Sequence, residues 1–266
     1  RSRMRFPGEN ASDMRKVYPG WGRMSNLCFT AGAFQRGEEK NVSILDCSMV
    51  TEDILTPDGR RLAYCEHGDP AGWPVFFFHG TPSSRLIHPP AAISEARGAR
   101  VITVDRPGFG LSDFQPGRAL LDWPDDVAAL ANALDLERFS IAGPSGGGPY
   151  VAACAYKIPE RISAAVMLGS GAPSTAPGAT DGMTPMRRVA FFVGRNAPWL
   201  MRPLIWLAAN PGRDPERFLV RFSAGLSDDD AAVMADPTTR AMFVRSYAES
   251  VRAGVRGVAH EANLFS

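Results

Sequence analysis

Regular alternation of apolar and polar positions begins at Met49. Residues Met49 to Thr56 alternate with the period of a strand, Pro57-Asp58-Gly59 is a strong turn signal, and Arg61 to His67 alternate again. This pattern predicts an opening β-hairpin. The pattern then changes. Pro74 to Phe78 is a short, wholly apolar run, as expected of a strand covered on both faces in a parallel sheet. Ala91 to Ala96 is a short helix candidate and Arg100 to Val104 the next strand. From Trp123 to Leu136, Val127, Leu130, Ala131 and Leu134 recur at helical spacing. Phe139 to Ala142 reads as a strand, Gly146 to Tyr156 as a small-residue helix stopped near Pro159, and Ile162 to Leu168 as one more strand. Strands alternating with helices over short connections predict a doubly wound, mostly parallel sheet of the α/β class.

Beyond Gly169 the strand signals stop. Residues 170–180 are rich in Ser, Pro, Gly and Thr and read as a linker. The remainder reads as helix over Val189 to Leu207, Pro215 to Ala224, Ser227 to Met234 and Thr238 to Asn263. Ser227 before three aspartates is a good helix start, a hydroxyl cap with acids in the first turn. Residues 1–48 have no periodicity and are expected to be a disordered extension or upstream readthrough, with the natural start near Met49. The expected organisation is therefore 1–48 extension, 49–170 α/β core and 171–266 helical region.

Composition alters this little. With 45% hydrophobic and 21% charged residues and a net charge of +1, nothing points to nucleic acid or an anionic membrane as a partner. The most apolar stretch, Val189 to Asn210, is interrupted by Arg195, Pro198, Arg202 and Pro203, well short of the roughly 20 continuous apolar residues of a membrane span. Cys28, Cys47, Cys65 and Cys154 form no CxxC pair and no metal-ligand spacing, so buried thiols in a reducing compartment are expected. No basic segment followed by an apolar core and a small-residue cleavage site is visible, and a cytoplasmic location is expected.

The candidate chemistry lies in Gly143-Pro144-Ser145-Gly146-Gly147. The G-x-S-x-G pattern alone is weak; its place between a strand and a helix makes it specific, because that arrangement forces a sharp turn exposing the serine hydroxyl. Gly143 and Gly147 have no side chains to clash where strand and helix approach. The Gly146 N–H can face a reacting carbonyl, with the helix N-terminus favouring developing negative charge. Pro149 is tolerated in the first helical turn. The competing reading is a glycine-rich turn with a structural serine.

The chain resembles α/β-hydrolases through Phe78-His79-Gly80-Thr81-Pro82, Asp105-Arg106-Pro107-Gly108-Phe109-Gly110-Leu111-Ser112 and Gly143-Pro144-Ser145-Gly146-Gly147-Gly148-Pro149. The resemblance covers about residues 49–170, and the helical region is similar to the cap that such enzymes insert after the sixth strand. It implies Ser145 as nucleophile, with the Thr81 and Gly146 N–H groups as oxyanion donors. His79 and Gly80 belong to the motif, the His79 side chain being expected to bond the loop backbone. Serine at the elbow, rather than aspartate, separates the chain from haloalkane dehalogenase and epoxide hydrolase relatives, and Asp105 is expected to be structural.

The resemblance also implies a catalytic acid and a histidine after Ser145 in the chain. The only later histidine is His260, within the predicted terminal helix. The last strands of the fold, with acid and base, are therefore expected beyond Ser266, which leaves the sixth strand as a sheet edge; the rival is a triad of Ser145 with His260 and Asp181. His88 and Arg85 are expected at a pocket mouth or in a solvated loop, and Trp199, Trp206, Phe243 and Tyr247 packed in the cap or lining an apolar cleft. The implied activity is hydrolysis of a small-molecule ester, lactone, thioester or amide, without metal or organic cofactor. The alternative is a non-catalytic member of the fold that binds a ligand or partner.

Overall fold

The parallel order of the sheet follows from the short apolar strands. In the computed structural model the described residues are 51–170, 177–178, 181, 183, 185–208, 210, 212–224 and 226–265, and they belong to one unit spanning Ile44–Ser266. The readings for residues 1–48, including Cys28 and Cys47, and most of the 170–180 linker lie outside the described residues. Strands β1 (Glu52–Leu55), β2 (Arg61–Gly68), β3 (Trp73–Phe77), β4 (Ala99–Val104), β5 (Phe139–Pro144) and β6 (Ile162–Leu168) form one sheet in the order β1-β2-β4-β3-β5-β6. The expected hairpin is present, with Leu55 opposite Arg61. β2 runs antiparallel to β4, and β4, β3, β5 and β6 are parallel.

Helices α1 (Ala91–Ala96), α2 (Trp123–Ala133) and α3 (Gly148–Lys157) connect the strands. Leu62, Phe76, Phe78, Ile102, Phe139 and Ile141 from the sheet pack against Trp123, Val127 and Leu130 of α2 and Tyr150 and Val151 of α3. Cys65 and Cys154 are buried free thiols. Among the described residues β6 pairs with β5 alone. Its Val166, Met167 and Leu168 are 46%, 57% and 49% exposed.

Among the described residues six helices follow: α4 (Pro185–Asn196), α5 (Met201–Ala208), α6 (Pro215–Phe222), α7 (Asp228–Ala235), α8 (Pro237–Ser250) and α9 (Arg256–Leu264). Among the described residues no helix is long and apolar enough to cross a membrane. Ser227 caps α7 through the Asp230 N–H.

Two expected long helices are broken. The one over Val189–Leu207 is divided into α4 and α5 by a short 3-10 turn at Pro198–Leu200, because proline has no N–H to continue the ladder and disfavours helical backbone at the preceding residue. The one over Thr238–Asn263 is divided into α8 and α9, the chain reversing at Gly254 with φ +91°, a conformation that glycine adopts without a steric penalty. This second break matters for the site. It turns α9 inward, so that Val255, Val258 and Ala259 pack on Phe109, Met201, Ile205 and Val251, while Phe265 reaches the main core.

Several individual placements differ from expectation. Arg85 is not a solvated residue: it is 4% exposed and pairs with Asp105 at 2.5 Å and Glu249 of α8 at 2.8 Å. His88 is half-buried and stacks on His67 with ring centroids 3.8 Å apart. Trp199 and Trp206 are 71% and 53% exposed rather than packed; the short turn at Pro198 carries Trp199 outward, and Trp206 lies under the Arg213 guanidinium, 4.3 Å from the ring centroid. Tyr247, by contrast, is packed as expected: it is buried and meets Phe243, Phe218 and Phe222 edge-on.

Candidate active site

The elbow is built by glycines where side chains cannot fit. β5 ends in extended backbone at Pro144, a 3-10 turn covers Ser145–Gly147, and α3 begins at Gly148. Ser145 itself has φ +50°, which L-residues rarely adopt, and the residue is exposed. A methyl group on Gly143 would lie 2.7 Å from the Gly147 carbonyl, and one on Gly147 would lie 2.1 Å from the Phe78 carbonyl oxygen. The strand, the helix and the loop after β3 are thus in backbone contact at this point.

That contact also brings the second motif to the first. A methyl group on Gly80 would lie 3.6 Å from Ser145 Cβ, and one on Gly146 only 2.4 Å from Thr81 Oγ1. Ser145, Gly146, Gly80 and Thr81 therefore meet at the ends of β3 and β5. Among the described residues no backbone carbonyl accepts from the Thr81 N–H, and Gly146 lies in the first turn after β5. An exposed serine beside N–H groups at a helix start is suited to attack on a carbonyl whose oxygen gains negative charge.

Under this loop lies a buried charge network that the sequence patterns did not single out. Glu261, on the inward face of α9 with Val258, is fully buried. Its Oε1 accepts from Arg106 Nε at 2.7 Å and from the Tyr150 hydroxyl at 2.7 Å, with Arg118 at 3.5 Å. Its Oε2 accepts from Arg106 at 2.9 Å and from the Thr81 hydroxyl. Arg106 further donates to the His79 carbonyl at 2.5 Å, the Gly80 carbonyl at 3.2 Å and Thr81 Oγ1 at 3.1 Å. Burial by itself would raise the Glu261 carboxyl, but the Arg106 and Arg118 charges and the hydrogen bonds from Arg106 and Thr81 hold it at about 2. Burial and the Glu261 charge push the Tyr150 phenol up. One signal was legible: a glutamate three residues after Val258 and four before Phe265 on one helical stripe is a charge on an apolar face.

His79 is buried, and its Nδ1–H donates to the Gly80 carbonyl at 2.7 Å. Burial, with the nearby Arg106 charge, drives its pKa far down, so the ring is neutral. Asp105 organises the glycine loop after β4: it accepts from the Arg85 N–H at 2.7 Å and the Leu111 N–H at 3.0 Å.

Ser145 accepts a hydrogen bond on its carbonyl from Ser170 Oγ at 3.0 Å; among the described residues no histidine or carboxylate bonds its hydroxyl. His260 is turned elsewhere, with its Nε2 on the Arg118 carbonyl at 3.0 Å and its ring edge-on to Phe114. Asp181 is exposed, and its N–H closes a local turn on the Gly178 carbonyl at 3.0 Å. Phe265, at the end of α9, also lies beside the elbow, 3.2 Å from where a Gly146 methyl group would lie.

Comparison with known proteins agrees with this fold. The chain is 36% identical over 124 residues to a non-heme chloroperoxidase from Streptomyces lividans, a match covering 45% of each chain. It is 33% identical over 118 residues to 2-hydroxymuconate semialdehyde hydrolase from Pseudomonas sp. (strain CF600), covering 41% of this chain and 40% of that protein. The chain thus spans less than half the length of either curated relative. An epoxide hydrolase from Vigna radiata superposes with a TM-score of 0.57 at 17% identity, over 82% of this chain and 72% of that one, a likeness of fold alone. The family model described as the alpha/beta hydrolase fold matches residues 74–263. That match runs from β3 through α9 and takes in the elbow, the loop after β3 and the glycine loop together, and the chain accordingly belongs to the α/β-hydrolase fold family.

Proposed function

We propose that this chain carries the nucleophile and oxyanion site of a serine hydrolase acting on a small ester, lactone, thioester or amide. The observation that carries the reading is the exposed Ser145 at φ +50°, set beside the Thr81 and Gly146 N–H groups. Ser145 Oγ attacks the substrate carbonyl carbon and passes its proton to a histidine base. The carbonyl oxygen takes up the negative charge against the two N–H groups. Collapse breaks the bond to the leaving group, which takes the proton from the histidine, and water then hydrolyses the acyl-serine to release the acid and regenerate Ser145. The route requires neither metal nor organic cofactor. A small-molecule substrate is in keeping with the names of the curated relatives.

The engagement of His260 Nε2 with the Arg118 carbonyl weighs against the rival triad with Asp181. The proposed organisation remains an α/β core over 49–170 and a helical cap over 171–266, the cap sending α9 into the core. A second reading, a ligand-binding member of the fold without catalysis, is favoured by Phe265 beside the elbow. A fluorophosphonate probe applied to the full-length protein separates them. Labelling that disappears in Ser145→Ala supports the hydrolase; an unlabelled protein that still binds small acyl compounds supports the second reading.

A further inference from the structure

Glu261 is far from Ser145 in sequence yet is bonded to the loop that supplies one of the two oxyanion donors. Arg106 donates to three consecutive residues of that loop, at the His79 and Gly80 carbonyls and the Thr81 hydroxyl, and two of its nitrogens are fixed by the Glu261 carboxylate. Thr81 Oγ1 is constrained from both sides: it accepts from Arg106 and donates to Glu261. With both bonds satisfied, the side chain has one orientation and the adjoining N–H is held with it. Tyr150, from the helix that follows the elbow, bonds the same carboxylate at 2.7 Å. One carboxylate on α9 therefore ties the loop after β3 to the helix after Ser145, and so sets the separation of the two N–H donors.

A buried ion network is a poor source of stability, because desolvation offsets most of the Coulomb attraction. What it supplies is a single geometry. Oxyanion stabilisation depends on such geometry, since removal of one donor costs roughly 10²- to 10³-fold in kcat and a misplacement of about 1 Å costs on the order of 10²-fold. We propose that Glu261 is a positioning residue for the oxyanion site, acting through the Thr81 hydroxyl and Arg106 to hold the Thr81 N–H toward the reacting oxygen. The proposal rests on Ser145 being the nucleophile. It makes an α9 residue, in the cap region, part of the control of the reaction.

The test uses the full chain and two near-isosteric variants, Glu261→Gln and Thr81→Val, assayed with a short-chain ester and the matching thionoester, in which sulfur replaces the carbonyl oxygen. Both variants are expected to lower kcat on the ester by about 10- to 100-fold with KM within about twofold. The wild-type preference for ester over thionoester should shrink in each, because sulfur makes little use of the N–H donors; a purely structural role would leave that ratio unmoved. The double variant should be little worse than either single one. Thr81→Val keeps the backbone N–H and both arginines, so it remains informative if Glu261→Gln fails to fold. Wild-type kcat and an unchanged ester-to-thionoester ratio in a folded Thr81→Val overturn the proposal. A wild-type protein that neither takes the fluorophosphonate label nor turns over ester overturns the nucleophile reading, and the proposal with it.

Discussion

Backbone strain at the nucleophile can be measured by comparing two substitutions that both remove the hydroxyl. Ser145 holds φ +50° at the point where the extended end of β5 bends into the short 3-10 turn leading to α3. A side chain in this left-handed region costs about 1–2 kcal/mol, and glycine escapes that cost. Glycine also makes the unfolded chain more flexible, which takes back about 0.4–1 kcal/mol. Ser145→Gly is therefore expected to be more stable than Ser145→Ala by about 1 kcal/mol, a shift of roughly 2–4 °C in Tm for a domain of this size. The exposed position of Ser145 means that neither variant opens a cavity, so the difference isolates the backbone. Equilibrium urea unfolding of both proteins reads it directly. An alanine variant as stable as the glycine variant would refute the idea that the turn itself is strained.

Three further outcomes are expected. Gly147→Ala places a methyl group 2.1 Å from the Phe78 carbonyl oxygen and should cost about 3 kcal/mol by forcing β3 and the elbow apart, seen as a lower unfolding midpoint together with loss of Ser145 labelling. The Glu261 carboxyl lies at about 2 in the folded protein against an ordinary 4.5. A depressed carboxylate contributes stability that is full above about pH 4.5 and is lost as pH falls toward 2, here about 3 kcal/mol; unfolding midpoints from pH 5 to pH 3 should fall more steeply in wild type than in Glu261→Gln. Arg60 bonds the buried Asp126 at 2.6 Å, clipping the turn after β1 to α2. Arg60→Met should cost about 3–5 kcal/mol by leaving that carboxylate unpaired, and Arg60→Met with Asp126→Leu should recover most of it, as denaturant titrations of the two variants would show.

What the sequence determined by itself is local. The hairpin followed from Pro57-Asp58-Gly59 between alternating runs, the parallel strands from short apolar segments, and the elbow from glycines spaced about Ser145; each is dictated by backbone geometry within a few residues. The meeting of Thr81 with Gly146 could also be anticipated, because both motifs end parallel strands that become neighbours. Only the tertiary structure decided the rest. Glu261 is 155 residues from Arg106 and 180 from Thr81, and no local pattern pairs charges across such distances. The breaks at Pro198 and Gly254 redirect helices whose periodicity reads as continuous, and the second break carries Glu261 inward. Arg85 likewise reads as a surface arginine until Asp105 and Glu249, from separate elements, are brought to it. Burial of a charge depends on partners that only the folded chain assembles.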